Sequence, residues 1–400
     1  MIQKLIRSAL ALSMAVQLLA VPALAAEDAP VYLALGDSIS TGYGLSAENQ
    51  RFSSLVAANR GYKENNKAEN GLTITDLADK MESGTYDAEL AKADVITLTC
   101  GGNDMIKVMY HRVTELYNKG KAPEDQITAE DVPDIISGTS EKVSQLTMIN
   151  TAIDAIVGDE DKNISPLATS EEFKSALEAL DTALEQMMNH IRSINPEAAV
   201  IIPTQYNPYM SFYEKAIVKN AYVGIEACIP YLNTIITENA PLYGYVVTDV
   251  YGAFRAVFDA DTDAKKENYK KDPLCNAYFR VPSDNDFDFH PNVKGHALIA
   301  ETILNTLNTL NRNLDETEFS LVSSNLNKGT VTVTGTGVYS SIAVAFYNSE
   351  EKMVGFDVKS LNGSETQTTL SAKLSGTAVK GKVFLFQRGS LIPHSEAIPF

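Results

Sequence analysis

The stretch VYLALGDSISTGYG, residues 31–44, is the part of the sequence that decides the fold. Its first five residues are apolar, and Gly36, Asp37 and Ser38 follow them at once. A short apolar run that ends in turn-forming residues predicts a buried β-strand followed by a tight turn. Ligands of an open parallel sheet bind outside the carboxyl ends of its strands, so this turn is expected to project the Ser38 hydroxyl and backbone N–H into a crevice.

Strand-like and helix-like stretches alternate along the chain as far as residue 310. The other predicted strands are short apolar runs at residues 94–101, 198–206 and 243–254. A helix is predicted from Ser170, as its N-cap, to Asn195, which precedes a proline, and the last helix covers residues 293–310. Strands that alternate with helices indicate an α/β fold, in which helices cover both faces of a parallel sheet.

Residues 105–170 are polar and contain Pro123, Pro133 and Pro166. We interpret them as a partly helical insertion after the second predicted strand. Two interpretations of its role stay open, a cover over a binding site and a surface elaboration without a function of its own.

From about residue 318 the sequence changes to short β-rich runs separated by Gly, Asn and Ser. Residues 330–333 and residues 354–358 alternate in the pattern of half-buried strands. We therefore predict two domains, an α/β domain over residues 26–314 and a small all-β sandwich over residues 318–400.

The first 25 residues predict a secretory signal peptide, because the basic Lys4 and Arg7 lead into an apolar run that ends in small residues at Ala25. An uncleaved anchor is the alternative. A signal peptide implies an extracytoplasmic protein. The formal net charge of −18 argues against nucleic acid as a partner, since phosphate binding needs clustered Lys and Arg.

The chain has three cysteines, which are too few for a disulfide scaffold in an exported protein. Cys100 ends an apolar run and is expected to be a small core residue. The sequence leaves open whether Cys228 and Cys275 form a bridge.

Asp288 and His290 are the candidate partners of Ser38. The two residues are two positions apart, so in an extended segment their side chains point to the same side. A serine hydroxyl becomes nucleophilic when a base removes its proton, and a carboxylate fixes the tautomer of that base. The other four histidines are expected to be packing or surface residues, and they are His111, His190, His296 and His394.

An acyl-transfer site also needs hydrogen-bond donors for the oxyanion that develops on the carbonyl oxygen. Gly71 precedes a predicted helix, so its backbone N–H is free to point outward. Asn103 follows the second predicted strand and offers a side-chain amide. Together with the backbone N–H of Ser38, these groups form the predicted oxyanion hole.

With these residues the chain resembles the SGNH/GDSL hydrolases. Four family blocks occur in order between about residues 30 and 310: Gly36-Asp37-Ser38-Ile39-Ser40, Gly71-Leu72-Thr73-Ile74-Thr75-Asp76-Leu77, Gly101-Gly102-Asn103-Asp104 and Asp288-Phe289-His290-Pro291. The resemblance implies a flavodoxin-like three-layer α/β/α fold and an esterase without a metal or another cofactor. It also implies Ser38 as nucleophile, His290 as base, and Gly71 and Asn103 as oxyanion donors.

The acid of the catalytic triad departs from the family pattern. The family often places it three residues before the histidine, where this chain has Phe287. Asp288, two residues before, is our candidate, and Asp286, four residues before, is the alternative.

The sequence thus predicts a secreted serine esterase or acylhydrolase that forms an acyl-serine intermediate. The ester is left open among acylated carbohydrates, small acyl esters and lipids. One alternative is a lipase or phospholipase whose 105–170 segment forms a lid, and another is a catalytically idle surface-binding protein. The C-terminal region resembles the Ig-like accessory domains of secreted bacterial enzymes. It is expected to contact carbohydrate or a cell surface, or to pack on the catalytic domain.

Overall fold

The computed structural model describes residues 29–137, 140–157, 165–212, 219–263, 266–276, 288–310, 318–336, 341–360, 367–386 and 397–400. Its first part is built on a parallel sheet whose strand order is β2-β1-β3-β4-β5. The strands are β1 (Val31–Leu35), β2 (Lys63–Asn66), β3 (Val95–Leu98), β4 (Ala199–Pro203) and β5 (Val246–Thr248). This is the flavodoxin-like order, and it confirms the predicted fold class.

Helices cover both faces of the sheet. They are α1 (Ser38–Thr41), α2 (Phe52–Arg60), α3 (Ile74–Glu82), α4 (Asp87–Leu90), α5 (Gly102–Asn118), α6 (Asp131–Ser137), α7 (Leu146–Val157), α8 (Glu171–Ile194), α9 (Lys219–Tyr243), α10 (Val250–Ala260), α11 (Glu267–Lys271) and α12 (Val293–Leu310). In one layer α12 contacts α2 and α10. In the other, α8 contacts α3, α5 and α9, and α7 contacts α5 and α9. The architecture therefore has three layers.

The predicted helices at residues 170–195 and 293–310 are confirmed. The Ser170 side chain accepts a hydrogen bond from Phe173 N, which caps α8, and α8 ends just before Asn195. Predicting one strand over residues 243–254 was wrong. The chain leaves the sheet after Thr248, because the Asp249 carboxylate accepts from Gly252 N and starts α10 at the next residue.

Strand β2 was not predicted. Its sequence is KENN, and it lies at the sheet edge, where it pairs with β1 alone. Charged and polar side chains are usual on edge strands because they discourage pairing with other chains.

The described part of residues 105–170 is more regular than its composition suggested. Helices α5, α6 and α7 bury apolar residues in the main core, namely Met105, Met109, Val113, Val132, Ile135, Ile149 and Ile153. These helices are thus packed elements of the α/β domain.

The C-terminal region is an all-β unit, as predicted. One sheet has the order β10-β7-β6 and the other β12-β11-β8-β9. The strands are β6 (Glu318–Asn325), β7 (Thr330–Thr336), β8 (Ser341–Tyr347), β9 (Met353–Ser360), β10 (Gln367–Ser371), β11 (Lys380–Phe386) and β12 (Ile398–Pro399). Residues of both sheets form one apolar core, separate from that of the α/β domain, and β9 contacts α9.

Some sequence predictions fall outside the described residues, namely those on the signal peptide over residues 1–25, the boundary between the two domains, Asp286 and His394. Cys100, Cys228 and Cys275 are free thiols, and all three are buried. Within the described ranges, no helix combines the length and apolar character that a membrane span needs.

Candidate active site

The turn after β1 places Ser38 at the carboxyl edge of the sheet. The chain leaves β1 for β2 on one side and reaches β3 on the other, so Ser38 lies at the point where the strand order reverses, the usual ligand site of this fold. Gly36 makes the turn with a φ of +118°. A Cβ atom there would lie 2.2 Å from the Thr99 carbonyl oxygen, so the close approach of β1 and β3 requires glycine.

The buried Asp37 side chain stabilises the turn by hydrogen bonds. Its Oδ1 accepts hydrogen bonds from Ile39 N at 3.0 Å and from the Thr99 hydroxyl at 2.8 Å. Burial raises the pKa of the Asp37 carboxyl, and the two hydrogen bonds oppose this rise. Asp37 therefore caps α1 and fixes the backbone beneath the Ser38 side chain.

Ser38, His290 and Asp288 form a hydrogen-bonded relay. His290 Nε2 lies 2.9 Å from Ser38 Oγ, and His290 Nδ1 lies 2.9 Å from Asp288 Oδ1. Because a carboxylate only accepts hydrogen bonds, Nδ1 carries the imidazole proton and Nε2 accepts from the serine hydroxyl. Asp288 is 1% exposed and Ser38 is 8% exposed, so water has little access to the relay.

The segment that carries His290 is fixed by a short antiparallel pairing. Asn276 N donates to His290 O at 2.7 Å, and Asn292 N donates to Leu274 O at 2.9 Å. Next, the Asn292 side chain accepts from Lys294 N and Gly295 N, which caps α12. His290 is thus held between a backbone pairing and a helix start.

Two aromatic rings lie against the His290 imidazole. Phe289 is nearly parallel to it, with centroids 5.0 Å apart, and Tyr43 lies at 4.6 Å with an interplanar angle of 48°. These contacts limit rotation of the imidazole and keep Nε2 directed at Ser38.

The two predicted oxyanion elements contact each other. Asn103 Nδ2 donates to Leu72 O at 2.8 Å, next to Gly71, which has a φ of +78°. The Asn103 amide has a second N–H beside the one that donates to Leu72 O. The Thr41 hydroxyl donates to Asn70 Oδ1 at 2.6 Å, which ties the Gly71 loop to α1.

Asp104 provides a further link between these elements. Its Oδ2 accepts from Ile74 N, the first residue of α3, at 3.0 Å. Burial raises the pKa of the Asp104 carboxyl to about 6, although the hydrogen bond from Ile74 acts in the opposite direction. The carboxyl group is therefore paired but poorly solvated.

The other described histidines lie outside the relay. His190 Nε2 is 2.8 Å from Asp87 Oδ1. His296 is fully buried and its Nδ1 accepts from Phe52 N, while burial lowers its pKa to about 3, so it is a neutral packing residue. His111 is exposed on α5, and His394 lies outside the described residues.

Sequence reasoning missed the residues that support the relay. Thr99 bonds Asp37, and Asn276 Nδ2 donates to Asp288 Oδ2 at 2.8 Å. Both are ordinary polar residues, and their partners are distant along the chain. For Thr99 a signal did exist, because a threonine just after a buried strand faces the turn of the neighbouring strand.

Metal chemistry would need several ligands in one place. Over the described ranges, no group of three or more His, Cys, Asp or Glu side chains has the arrangement of a metal site.

Comparison with known proteins places these residues in a family. The family model described as GDSL-like Lipase/Acylhydrolase matches residues 34–298, which is more than half of the chain and includes Ser38 and His290. No curated protein matches the sequence significantly.

Solved structures similar to the chain include phospholipase A1 from Streptomyces albidoflavus, at 19% identity and a TM-score of 0.42, covering 70% of this chain and 99% of that one. The extracellular lipase of Streptomyces rimosus has 18% identity and a TM-score of 0.41, with the same coverage. A lipase from a goat rumen metagenome has 18% identity and a TM-score of 0.39, covering 69% of this chain and 96% of that one. On the match of the family model, the chain belongs to the GDSL-like lipase/acylhydrolase family.

Proposed function

We propose that the protein is a serine ester hydrolase that works through an acyl-serine intermediate. The observation that carries the proposal is the relay in which Ser38 Oγ, the His290 imidazole and the Asp288 carboxylate are joined by two contacts of 2.9 Å. A hydroxyl, a base and an orienting carboxylate in this order are the groups that nucleophilic acyl transfer needs.

In the first half-reaction His290 Nε2 removes the proton of the Ser38 hydroxyl as its oxygen attacks the ester carbonyl. The carbonyl oxygen becomes an oxyanion, which accepts hydrogen bonds from Ser38 N, Gly71 N and the Asn103 amide. Asp288 stabilises the imidazolium that forms and holds its tautomer. The imidazolium then gives its proton to the leaving alcohol, and Ser38 is left acylated.

The second half-reaction repeats these roles with water as the nucleophile. His290 takes a proton from water, the hydroxide attacks the acyl-serine, and the acid is released as the proton returns to Ser38.

The substrate class is a carboxylic ester, and acylated carbohydrates, small acyl esters and lipids are the candidates. The proposal of a lipase or phospholipase with a lid over residues 105–170 differs in its preference for long acyl chains. The packing of α5, α6 and α7 into the core favours an enzyme without that lid.

The test is hydrolysis of p-nitrophenyl acetate, butyrate and octanoate by residues 26–400, with Ser38→Ala as the control. Activity that is lost in Ser38→Ala supports the serine mechanism, and the dependence on chain length separates an acetyl esterase from a lipase. A folded protein that hydrolyses none of these esters and does not react with a serine-directed phosphonate would indicate the idle binding protein instead.

We further propose that residues 1–25 direct export, since Lys4 and Arg7 precede an apolar run and small residues precede Ala26. The N-terminal sequence of protein recovered from the medium of a bacterial host tests this, and Ala26 is the expected first residue.

The C-terminal sandwich is proposed to be an Ig-like domain. Its sheets of three and four strands, joined around one core, support this comparison. Contact with polysaccharide or a cell surface is its proposed role, and co-sedimentation of the full chain with insoluble polysaccharide and with washed cells tests it.

A further inference from the structure

Asn276 is placed beside the relay by the backbone. The segment before it pairs with the segment of His290 through Asn276 N, which donates to His290 O at 2.7 Å, and through the bridge between Cys275 and Pro291. This pairing fixes the Cα of Asn276 relative to the base. Its side chain then reaches Asp288, twelve residues further along the chain.

The Asp288 carboxylate accepts three hydrogen bonds from two residues. Oδ1 accepts from His290 Nδ1 and from His290 N, each at 2.9 Å, and Oδ2 accepts from Asn276 Nδ2 at 2.8 Å. Across the described ranges, Asn276 is the side chain that donates to Oδ2. A carboxylate that is 1% exposed needs such a donor, because an unpaired buried charge is strongly unfavourable.

Gly44 packs against the hydrogen bond between Asn276 and Asp288. Its φ is +81°, and a Cβ atom there would lie 2.7 Å from Asp288 Oδ2 and 3.2 Å from Asn276 Nδ2. The loop after α1 therefore packs directly on Asp288 and Asn276. The Asn276 amide donates to Asp288 Oδ2, as a water molecule would donate to an exposed carboxylate.

We propose that Asn276 is a positioning residue of the proposed esterase, which holds the Asp288 carboxylate in the rotamer that orients His290. The inference rests on the proposed function, and it extends the relay of three residues to a fourth. Asn276 does not touch the substrate in this assignment. It acts on the reaction through Asp288 alone.

Replacement of Asn276 by aspartate gives the sharpest test. A carboxyl group of the same shape beside Asp288 keeps one proton to a higher pH than either group alone, and in that state it still donates to Oδ2. Once that proton is lost, two negative charges face each other and the donor is gone. The activity ratio of Asn276→Asp to wild type is therefore expected to fall as pH rises.

Besides His290, which contacts Asp288 in wild type and variants alike, two titratable groups lie near Asp288, the Cys275 thiol and the Tyr206 hydroxyl. Burial raises the pKa of each well above its ordinary value. Both groups stay neutral between about pH 5.5 and pH 9, so a change of the ratio in that window reports on the introduced carboxyl group.

The experiment measures kcat and KM for p-nitrophenyl butyrate across this pH window for wild type, Asn276→Asp and Asn276→Ala. Asn276→Ala is expected to lower kcat by about 10- to 100-fold at every pH with little change of KM, because the donor is lost throughout. The matched control is Asn239→Asp, since the Asn239 amide also donates to a carboxylate, that of Asp181, between α8 and α9. Its ratio to wild type is expected to stay constant.

A ratio for Asn276→Asp that does not change with pH, or an Asn276→Ala enzyme with wild-type kcat, would overturn the proposal. So would an Asn276→Asp chain that fails to fold at any pH while Asn239→Asp folds, since Asn276 would then be structural. Proton NMR of the His290 Nδ1–H separates this inference from the proposed function. A downfield resonance that Asn276→Ala removes supports the positioning role even in a chain that hydrolyses no ester.

Discussion

The α/β domain and the C-terminal sandwich bury polar side chains to different extents. Among the described residues, Thr368 is the buried polar residue of the sandwich, whereas the α/β domain buries sixteen, Asp37, Ser38, Asp288 and His296 among them. Burying a polar group is unfavourable unless it is hydrogen-bonded, and each such group in the α/β domain needs a specific partner. The core of the sandwich, in the part of it that the structure describes, is a cluster of apolar side chains.

Because of this difference, substitutions in the two domains are expected to affect different properties of the protein. At the carboxyl edge of the sheet, polar substitutions are expected to alter chemistry more than stability. In the sandwich, core substitutions are expected to alter stability and leave chemistry unchanged.

The largest effect is expected for Asp288→Asn. An amide in place of the carboxylate favours the wrong imidazole tautomer, so kcat is expected to fall by about 10⁴-fold while the protein stays folded. Ester hydrolysis and thermal unfolding measure the two quantities. The control is Asp357→Asn in β9, where Asp357 Oδ2 accepts from Ser371 N at 2.7 Å. Equal losses of activity in both variants would contradict the division between the two domains.

A core truncation in the sandwich gives the opposite pattern. Phe346 is fully buried and packs edge-on against Phe400, with ring centroids 5.6 Å apart. Phe346→Ala is expected to lower the unfolding free energy of the sandwich by about 3–5 kcal/mol. Hydrolysis of a small soluble ester is expected to stay within about twofold of wild type, because the two cores are separate. An activity that falls in step with the sandwich stability would show that the domains unfold as one unit.

Glycine substitutions test how closely the site is packed. Gly36→Ala is expected to destabilise the α/β domain by about 3 kcal/mol, since its Cβ would meet the Thr99 backbone and its φ is positive. Gly61→Ala is the control, because Gly61 has a φ of +67° but no atom within 4 Å of the added Cβ. It gives the cost of a side chain at a left-handed position that has no contact, about 1 kcal/mol. Equal denaturant midpoints for the two variants would mean that the Thr99 contact relaxes freely.

The sequence predicts those features that local chemistry determines. Strands β1, β3 and β4 are apolar runs, and the Ser170 cap of α8 is a local hydrogen bond, so both could be recognised. The polar edge strand β2 gives no apolar signal, because it is held by pairing with β1. The run at residues 243–254 is mostly apolar but contains Thr248 and Asp249, and periodicity alone does not separate β5 from α10.

The candidate site also contains residues that could be predicted from the sequence and residues that could not. Ser38, His290, Asp288 and Asn103 could be named as candidates because their residue types carry the chemistry and occur in recognisable blocks. Thr99 and Asn276 could not, since their importance comes from contacts with Asp37 and Asp288 that only the folded chain creates.

The smallest expected effect concerns Asp104, which lies at the edge of the site but is paired with the backbone of Ile74. Burial in the native state raises the pKa of this carboxyl from its ordinary value to about 6, so the folded chain binds the proton more tightly than the unfolded chain does. Stability contributed by the protonated group is therefore lost as pH rises from about 4 to 6.

Asp104→Asn removes the ionisable group, so stability is no longer lost when the pH rises from about 4 to 6. The amide keeps an oxygen that accepts from Ile74 N. The variant is expected to be more stable than wild type by about 1–2 kcal/mol at pH 7 and to approach it near pH 4. Urea unfolding at several pH values measures the difference. A variant that is less stable than wild type at pH 7 would contradict this expectation. It would show that the interactions of the ionised Asp104 carboxylate with its neighbours outweigh the cost of burying its charge.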